Sequence, residues 1–169
     1  MRKIERPCRL DGKSEFFLGI GEVAFAKKPC VIRTVLGSCI GVTIYDPKLR
    51  IGGMSHFLLA KAPEGQISTR YGDIALDALI DNFRRAGSHI HRLEACIAGG
   101  GLILDMNEVF FVGEKNIKVA DEVLSRRGIR VLRREVGGER GRRMVLDSET
   151  GFVTIEFIPD TDPERNSAI

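Results

Sequence analysis

Apolar residues recur along this chain in short, β-branched and aromatic runs punctuated by glycine, proline and charged residues. The runs are Phe16 to Ala26, Val31 to Leu36, Ile40 to Tyr45, Met54 to Leu59, Leu93 to Ala98, Ile129 to Arg133, Met144 to Asp147 and Phe152 to Ile158. Their length and composition predict strands. Two stretches carry a helical period instead. Leu76, Leu79, Ile80 and Phe83 fall at i, i+3, i+4, i+7 within Tyr71 to Ala86, with Gly87 as the stop, and Ile117, Ala120, Val123 and Leu124 share one face of Lys115 to Arg127, which ends at Gly128. Strands clustered early, then helix, strand, helix and more strands, predict an α+β fold: packed, mostly antiparallel or mixed sheets with helices outside. Residues 1–15 read as a polar, flexible leader, 16–158 as a single domain and 159–169 as a loose tail.

Composition narrows the class of protein. A chain of 169 residues with 43% apolar and 29% charged residues builds one core and is too apolar to be disordered. The charged start, Met1 to Arg6, leads into no signal-peptide core, and no run approaches the roughly 20 apolar residues of a membrane span. A cytoplasmic protein without membrane insertion is expected. Its net charge of +3 is uneven, because residues 115–145 hold ten Lys/Arg against four Asp/Glu. No nucleic-acid motif accompanies that excess, so a solvated face is the expected use and nucleic acid is not an expected partner.

Four cysteines, Cys8, Cys30, Cys39 and Cys96, lie far apart with no C-x-x-C, which signals neither a zinc knuckle nor a redox dithiol. Cys39 has the most telling surroundings. Gly37-Ser38-Cys39 interrupts two apolar runs, so the chain turns or bulges there and presents the thiol from a rigid support. Backbone amides at Gly37 and Ser38 are then candidates to hold an oxyanion. Against this stands ordinary packing, since free cysteine is among the most buried residue types.

His56 lies in a glycine-led apolar run joined to the run after Cys39 through the turn Asp46-Pro47-Lys48, so a hairpin would set imidazole and thiol side by side. Such a pair makes a cysteine nucleophile with a general base. The alternative is a satisfied core histidine. Cys96 reads as a buried strand residue, and Cys8 and Cys30 have no activating partner in the sequence. His89 and His91 lack a recognisable third ligand, so no metal is expected. Gly99-Gly100-Gly101 lacks the Lys-Ser/Thr of a P-loop and reads as a tight strand-end loop. Gly137 to Arg143 reads as a hairpin loop whose arginines either grip an anion or are solvated.

Taken together, several segments resemble the CheD family of chemoreceptor glutamine deamidases. They are Gly19-Ile20-Gly21-Glu22, Thr34-Val35-Leu36-Gly37-Ser38-Cys39, Tyr45-Asp46-Pro47, Gly52 to Phe57, Arg70 to Asp73, Ile97 to Gly100, Gly113 to Asn116, Gly137-Gly138 and Gly141 to Arg143. The resemblance spans residues 18–156 and implies a Cys-His-Thr site at Cys39, His56 and Thr34, with the threonine orienting the imidazole. It also implies a fold similar to bacterial toxin deamidases, no cofactor, chemoreceptors as substrates, and a CheC-type phosphatase as a partner. The expected activity is hydrolysis of receptor glutamine side chains to glutamate through a thioester. The competing expectation is a chemotaxis binding module that docks on the phosphatase or receptor with little catalysis.

Overall fold

The computed structural model describes residues 8–10, 13–101 and 107–159, so the expectations for residues 1–7 and for the tail from 160 onward lie outside the described residues. Among the described residues ten strands and two α-helices follow one another: β1 (Cys8–Leu10), β2 (Lys13–Phe17), β3 (Glu22–Phe25), β4 (Cys30–Leu36), β5 (Ile40–Asp46), β6 (Ile51–Phe57), α1 (Gly72–Arg85), β7 (Glu94–Gly99), α2 (Asn107–Arg126), β8 (Arg130–Val136), β9 (Arg142–Asp147) and β10 (Val153–Phe157). One sheet runs β1-β2-β4-β9-β10 and the other β3-β6-β5-β7-β8. Both are mixed, since β2–β4 and β7–β8 are parallel and the remaining pairs antiparallel. The fold is α+β, as the order of apolar runs predicts.

Strand periodicity explains the layering. Along β5, Ile40, Val42 and Ile44 join Leu76, Leu79, Ile80 and Phe83 of α1 and Ala120, Val123 and Leu124 of α2 in one core. A second core fills the space between the sheets with Leu18, Ile32, Leu36, Met54, Met144 and Leu146. The β3–β8 sheet is therefore the middle layer, with both helices on one face and the other sheet on the opposite face. Each large aliphatic or aromatic side chain buried in these cores contributes roughly 1.5–3 kcal/mol.

Two boundaries differ from expectation. The run Phe16 to Ala26 is not one strand: β2 and β3 belong to different sheets, and the Leu18–Gly21 turn between them carries the chain across. That turn is held by a bond from the Gly19 amide to Glu22 Oε2 at 2.8 Å and one from the Leu18 amide to Arg33 O at 2.8 Å. Helix α2 starts at Asn107 rather than near Lys115. Gly113 is not a breaker but a point of close approach, since a Cβ there would lie 2.7 Å from Gly100 O. Within the expected leader, Cys8–Leu10 pairs with β2.

Candidate active site

The thiol sits where the chain changes sheets. β4 lies in one sheet and β5 in the other, and Gly37-Ser38-Cys39 is the bend between them. The β5–β6 hairpin turns on Asp46, whose Oδ1 accepts the amides of Lys48 at 2.9 Å and Leu49 at 3.2 Å. Its register pairs Gly41 with His56 and ends at Ile40 and Phe57. Cys39 is thus one step past the end of the ladder, two residues before Gly41, the partner of His56. Cys39 is 6% exposed and His56 3%, while Gly37 and Ser38 are half-buried at the surface of the bend.

Thr34, fully buried on β4, reaches across from the opposite sheet to the imidazole. Its Oγ1 lies 2.7 Å from Leu18 O and 2.8 Å from His56 Nδ1. The Leu18 carbonyl only accepts, so it takes the single hydroxyl proton, and Oγ1 must then accept from Nδ1–H. The chain of bonds assigns the proton of the neutral imidazole to Nδ1 and leaves the lone pair on Nε2. That nitrogen has no hydrogen-bond partner among the described residues, so no bond joins it to Cys39.

Burial dominates the electrostatics. It pushes the Cys39 thiol above the usual cysteine range, opposed by the residue's own backbone amide. It also pushes His56 below the usual histidine range, opposed by the Leu18 carbonyl and then by the negative charge of Glu22. Both shifts favour the neutral thiol and imidazole over the thiolate and imidazolium.

Residues distant in sequence complete the surroundings of the bend. Gly101 and Gly100 donate their amides to Gly37 O and Cys39 O, each at 2.8 Å. The triple-glycine run is the strand-end loop expected, but its partner is the cysteine bend, and a Cβ on Gly99 would fall 2.1 Å from Cys39 O. Asn116 of α2 donates Nδ2 to Leu58 O at 2.7 Å and to Ser38 O at 3.4 Å, bridging the two chains just where the β5–β6 ladder stops. With all three carbonyls of the bend taken, trans peptide geometry turns the Ser38 and Cys39 amides away from those donors. The sequence offered one sign of Asn116's part, its place in a matching Gly113 to Asn116 segment, and no sign of which backbone it would bridge.

The other singled-out residues lie apart from the bend or serve to brace it. Arg142 is buried and donates to Gly99 O at 2.7 Å and to Gly137 O, so it braces the glycine loop instead of gripping a solvent anion. Cys30 is buried beside Ser148, and Cys96 is half-buried instead of fully buried. His89 and His91 are exposed, and no group of three metal-binding side chains occurs among the described residues. In the basic stretch, Arg127 pairs with Asp77, Arg130 with Glu94 and Arg134 with Asp121, each at 2.6 Å. A groove of about 880 Å³ lined by Phe16, Phe25, Lys28, Cys30 and Arg85 lies at the far end of β4 from Cys39. No described helix is long and apolar enough to cross a membrane.

Fold and site together define a class: an α+β protein that bonds a hydroxyl of one mixed sheet to an imidazole of the other and sets a cysteine at the bend where the chain passes between the sheets. Comparison with known proteins narrows it. Residues 58–157 match the family model described as CheD chemotactic sensory transduction. Three curated relatives carry the name "Probable chemoreceptor glutamine deamidase CheD". That of Desulforamulus reducens is 38% identical over 87% of this chain and 93% of its own length. The Sulfurimonas denitrificans protein is 36% identical over 86% of this chain and 96% of its own, and the Thermococcus kodakarensis protein 42% identical over 85% and 93%. The chain belongs to the CheD family.

Proposed function

We propose that this chain is a receptor-directed amide hydrolase that converts glutamine side chains of chemoreceptors to glutamate and ammonia, using Cys39 as nucleophile and His56 as base and acid. The observation that carries this reading is the bond between Thr34 Oγ1 and His56 Nδ1 at 2.8 Å, which leaves Nε2 unprotonated beside the cysteine bend. Membership of a family whose curated relatives are named as glutamine deamidases supports the substrate.

With both groups neutral at rest, the sulfur becomes nucleophilic as its proton passes to Nε2. Sulfur bonds to the carboxamide carbon, and the carbonyl electron pair moves to oxygen, where the Ser38 and Cys39 amides are available to hold it. One such donor is worth about 3–4 kcal/mol in acyl transfer. Collapse expels ammonia, which takes the proton from the imidazolium and leaves a thioester on Cys39. Water then gives a proton to Nε2 and its hydroxide to the acyl carbon; the C–S bond breaks, sulfur takes the proton back from the imidazolium to restore the thiol, and the released carboxylic acid gives its own proton to the ammonia, leaving glutamate. Throughout, Nδ1–H continues to donate to Thr34 Oγ1. The slight exposure of Cys39 favours a slender side-chain amide over a main-chain peptide.

Mass spectrometry of a chemoreceptor cytoplasmic fragment incubated with the protein tests the reading. The expected product gains about 1 Da at glutamine, and the gain disappears with Cys39→Ala. An unmodified fragment, or equal gain with Cys39→Ala, would overturn it.

A further inference from the structure

We propose that Glu22 is a positioning residue for His56: its carboxylate locks the turn that holds the imidazole and supplies the negative charge that offsets the imidazolium formed in each half of the reaction. This rests on the deamidase reading above. Glu22 lies directly across the β3–β6 ladder from His56. Opposed residues in an antiparallel pair place their side chains on one face, with Cβ atoms about 4.5–5.5 Å apart.

From that position Oε2 accepts the Gly19 amide at 2.8 Å. The turn so fixed touches His56 twice. Gly21 donates its amide to His56 O at 2.7 Å, and Leu18 O receives the Thr34 hydroxyl at 2.7 Å while lying 3.4 Å from Nδ1. Thr69 completes the turn by donating to Gly21 O. Glu22 thus helps to fix where the relay ends, together with the Leu18 amide bond to Arg33 O.

The charge matters because the imidazolium forms at a buried site. Thr34 from β4 and Cys39 from the bend are neutral at rest. Arg70 before α1, Asp73 on α1, Lys115 on α2 and Arg142 on β9 carry charge on neighbouring elements. Of these charged groups Glu22 is the one that stands opposite His56 in the ladder, and its negative charge opposes the lowering of the imidazole pKa by burial. A purely structural role would need the acceptor oxygen alone, which glutamine retains.

The test is an NMR titration of the His56 imidazole in a Cys39→Ala background, where no thiol titrates beside it and no substrate is needed. Glu22→Gln is expected to move the midpoint about half a pH unit or more to lower pH, whereas Glu22→Asp keeps it within about 0.3 unit. In the enzyme with Cys39 intact, Glu22→Gln is expected to lower kcat about tenfold with KM unchanged, and Glu22→Asp to restore most of it. A midpoint unmoved by Glu22→Gln overturns the proposal. So does a drop of half a unit in Glu22→Asp, which decides the matter should Glu22→Gln fail to fold. Absence of deamidation by the unmutated enzyme would instead sink the deamidase reading and leave the titration to judge Glu22.

Discussion

Thr34→Val removes one hydroxyl from the site and almost nothing else, because the two side chains have nearly the same shape. Two bonds vanish, at 2.7 Å to Leu18 O and 2.8 Å to His56 Nδ1. Each is worth about 1 kcal/mol net, and a buried donor left unpaired costs about 1–3 kcal/mol. The remaining contact of Nδ1 with Leu18 O, at 3.4 Å, is too long to replace them. The imidazole escapes part of this cost by moving its proton to Nε2, where it can no longer accept one from sulfur. A tautomer preference changed by about 1.4–2.7 kcal/mol corresponds to a rate loss of roughly 10- to 100-fold, expressed in kcat. Folding stability should fall by about 1–3 kcal/mol. The assays are the initial rate of glutamine deamidation in a receptor fragment and the His56 nitrogen shifts, which report the tautomer directly. Thr34→Ser, which keeps the hydroxyl, should remain within several-fold of the native rate. Full activity in Thr34→Val with the Nδ1–H tautomer intact would refute the relay.

Asn116→Ala removes the bridge from α2 to Leu58 O and Ser38 O, and denaturant titration should show a loss of about 1–3 kcal/mol with a reduced deamidation rate; an unaffected rate would show that the bridge does not set the site. Gly99→Ala places a Cβ 2.1 Å from Cys39 O at a φ of +110°, so it should abolish activity and lower the melting temperature, and a soluble variant with native kinetics would contradict the assigned packing. Neutral burial lowers the His56 pKa, so its contribution to stability is present above pH 6.5 and lost as pH falls through the folded value. Denaturant titrations through that range should show the loss in the native protein and a weaker slope in His56→Gln. The raised Cys30, Cys39 and Cys96 thiols act at the other end: their contribution is present below pH 9.0 and lost as pH rises through the folded values, so the decline should shrink in Cys39→Ala.

How much of this was legible follows from how local each signal is. Helix α1 spans Gly72–Arg85, close to the expected Tyr71 to Ala86, because Leu76, Leu79, Ile80 and Phe83 bury one face and Gly87 ends it. The β5–β6 hairpin, which carries His56 and starts just after Cys39, was equally readable, since its turn at Asp46 is local. Sheet order was not, because the ladder between β4 and β9 joins residues more than a hundred positions apart and no local pattern encodes that choice. The Gly19–Gly21 turn looked like part of a strand because its flanks are apolar, although it is the point where the chain changes sheets. The helix expected from Lys115 in fact runs through Gly113, a residue costly inside a helix, and the docked backbone of Gly100 explains its place there. Thr34 came from family resemblance alone, for its bond to His56 crosses from one sheet to the other. Asn116 acts through backbone groups that other elements deliver, and Glu22 stands opposite His56 only through the pairing of β3 with β6, neither of which residue type can reveal.

Covalent capture of the acyl group tests the central claim most directly. The protein is mixed with a glutamine-bearing receptor peptide, quenched in acid within the first turnovers, digested and weighed. The expected adduct sits on the peptide containing Cys39, with the mass of the receptor peptide less about 17 Da for the ammonia lost, and it is absent from Cys39→Ala. Continued deamidation by Cys39→Ala, or an adduct on Cys30 or Cys96 instead, would contradict the account.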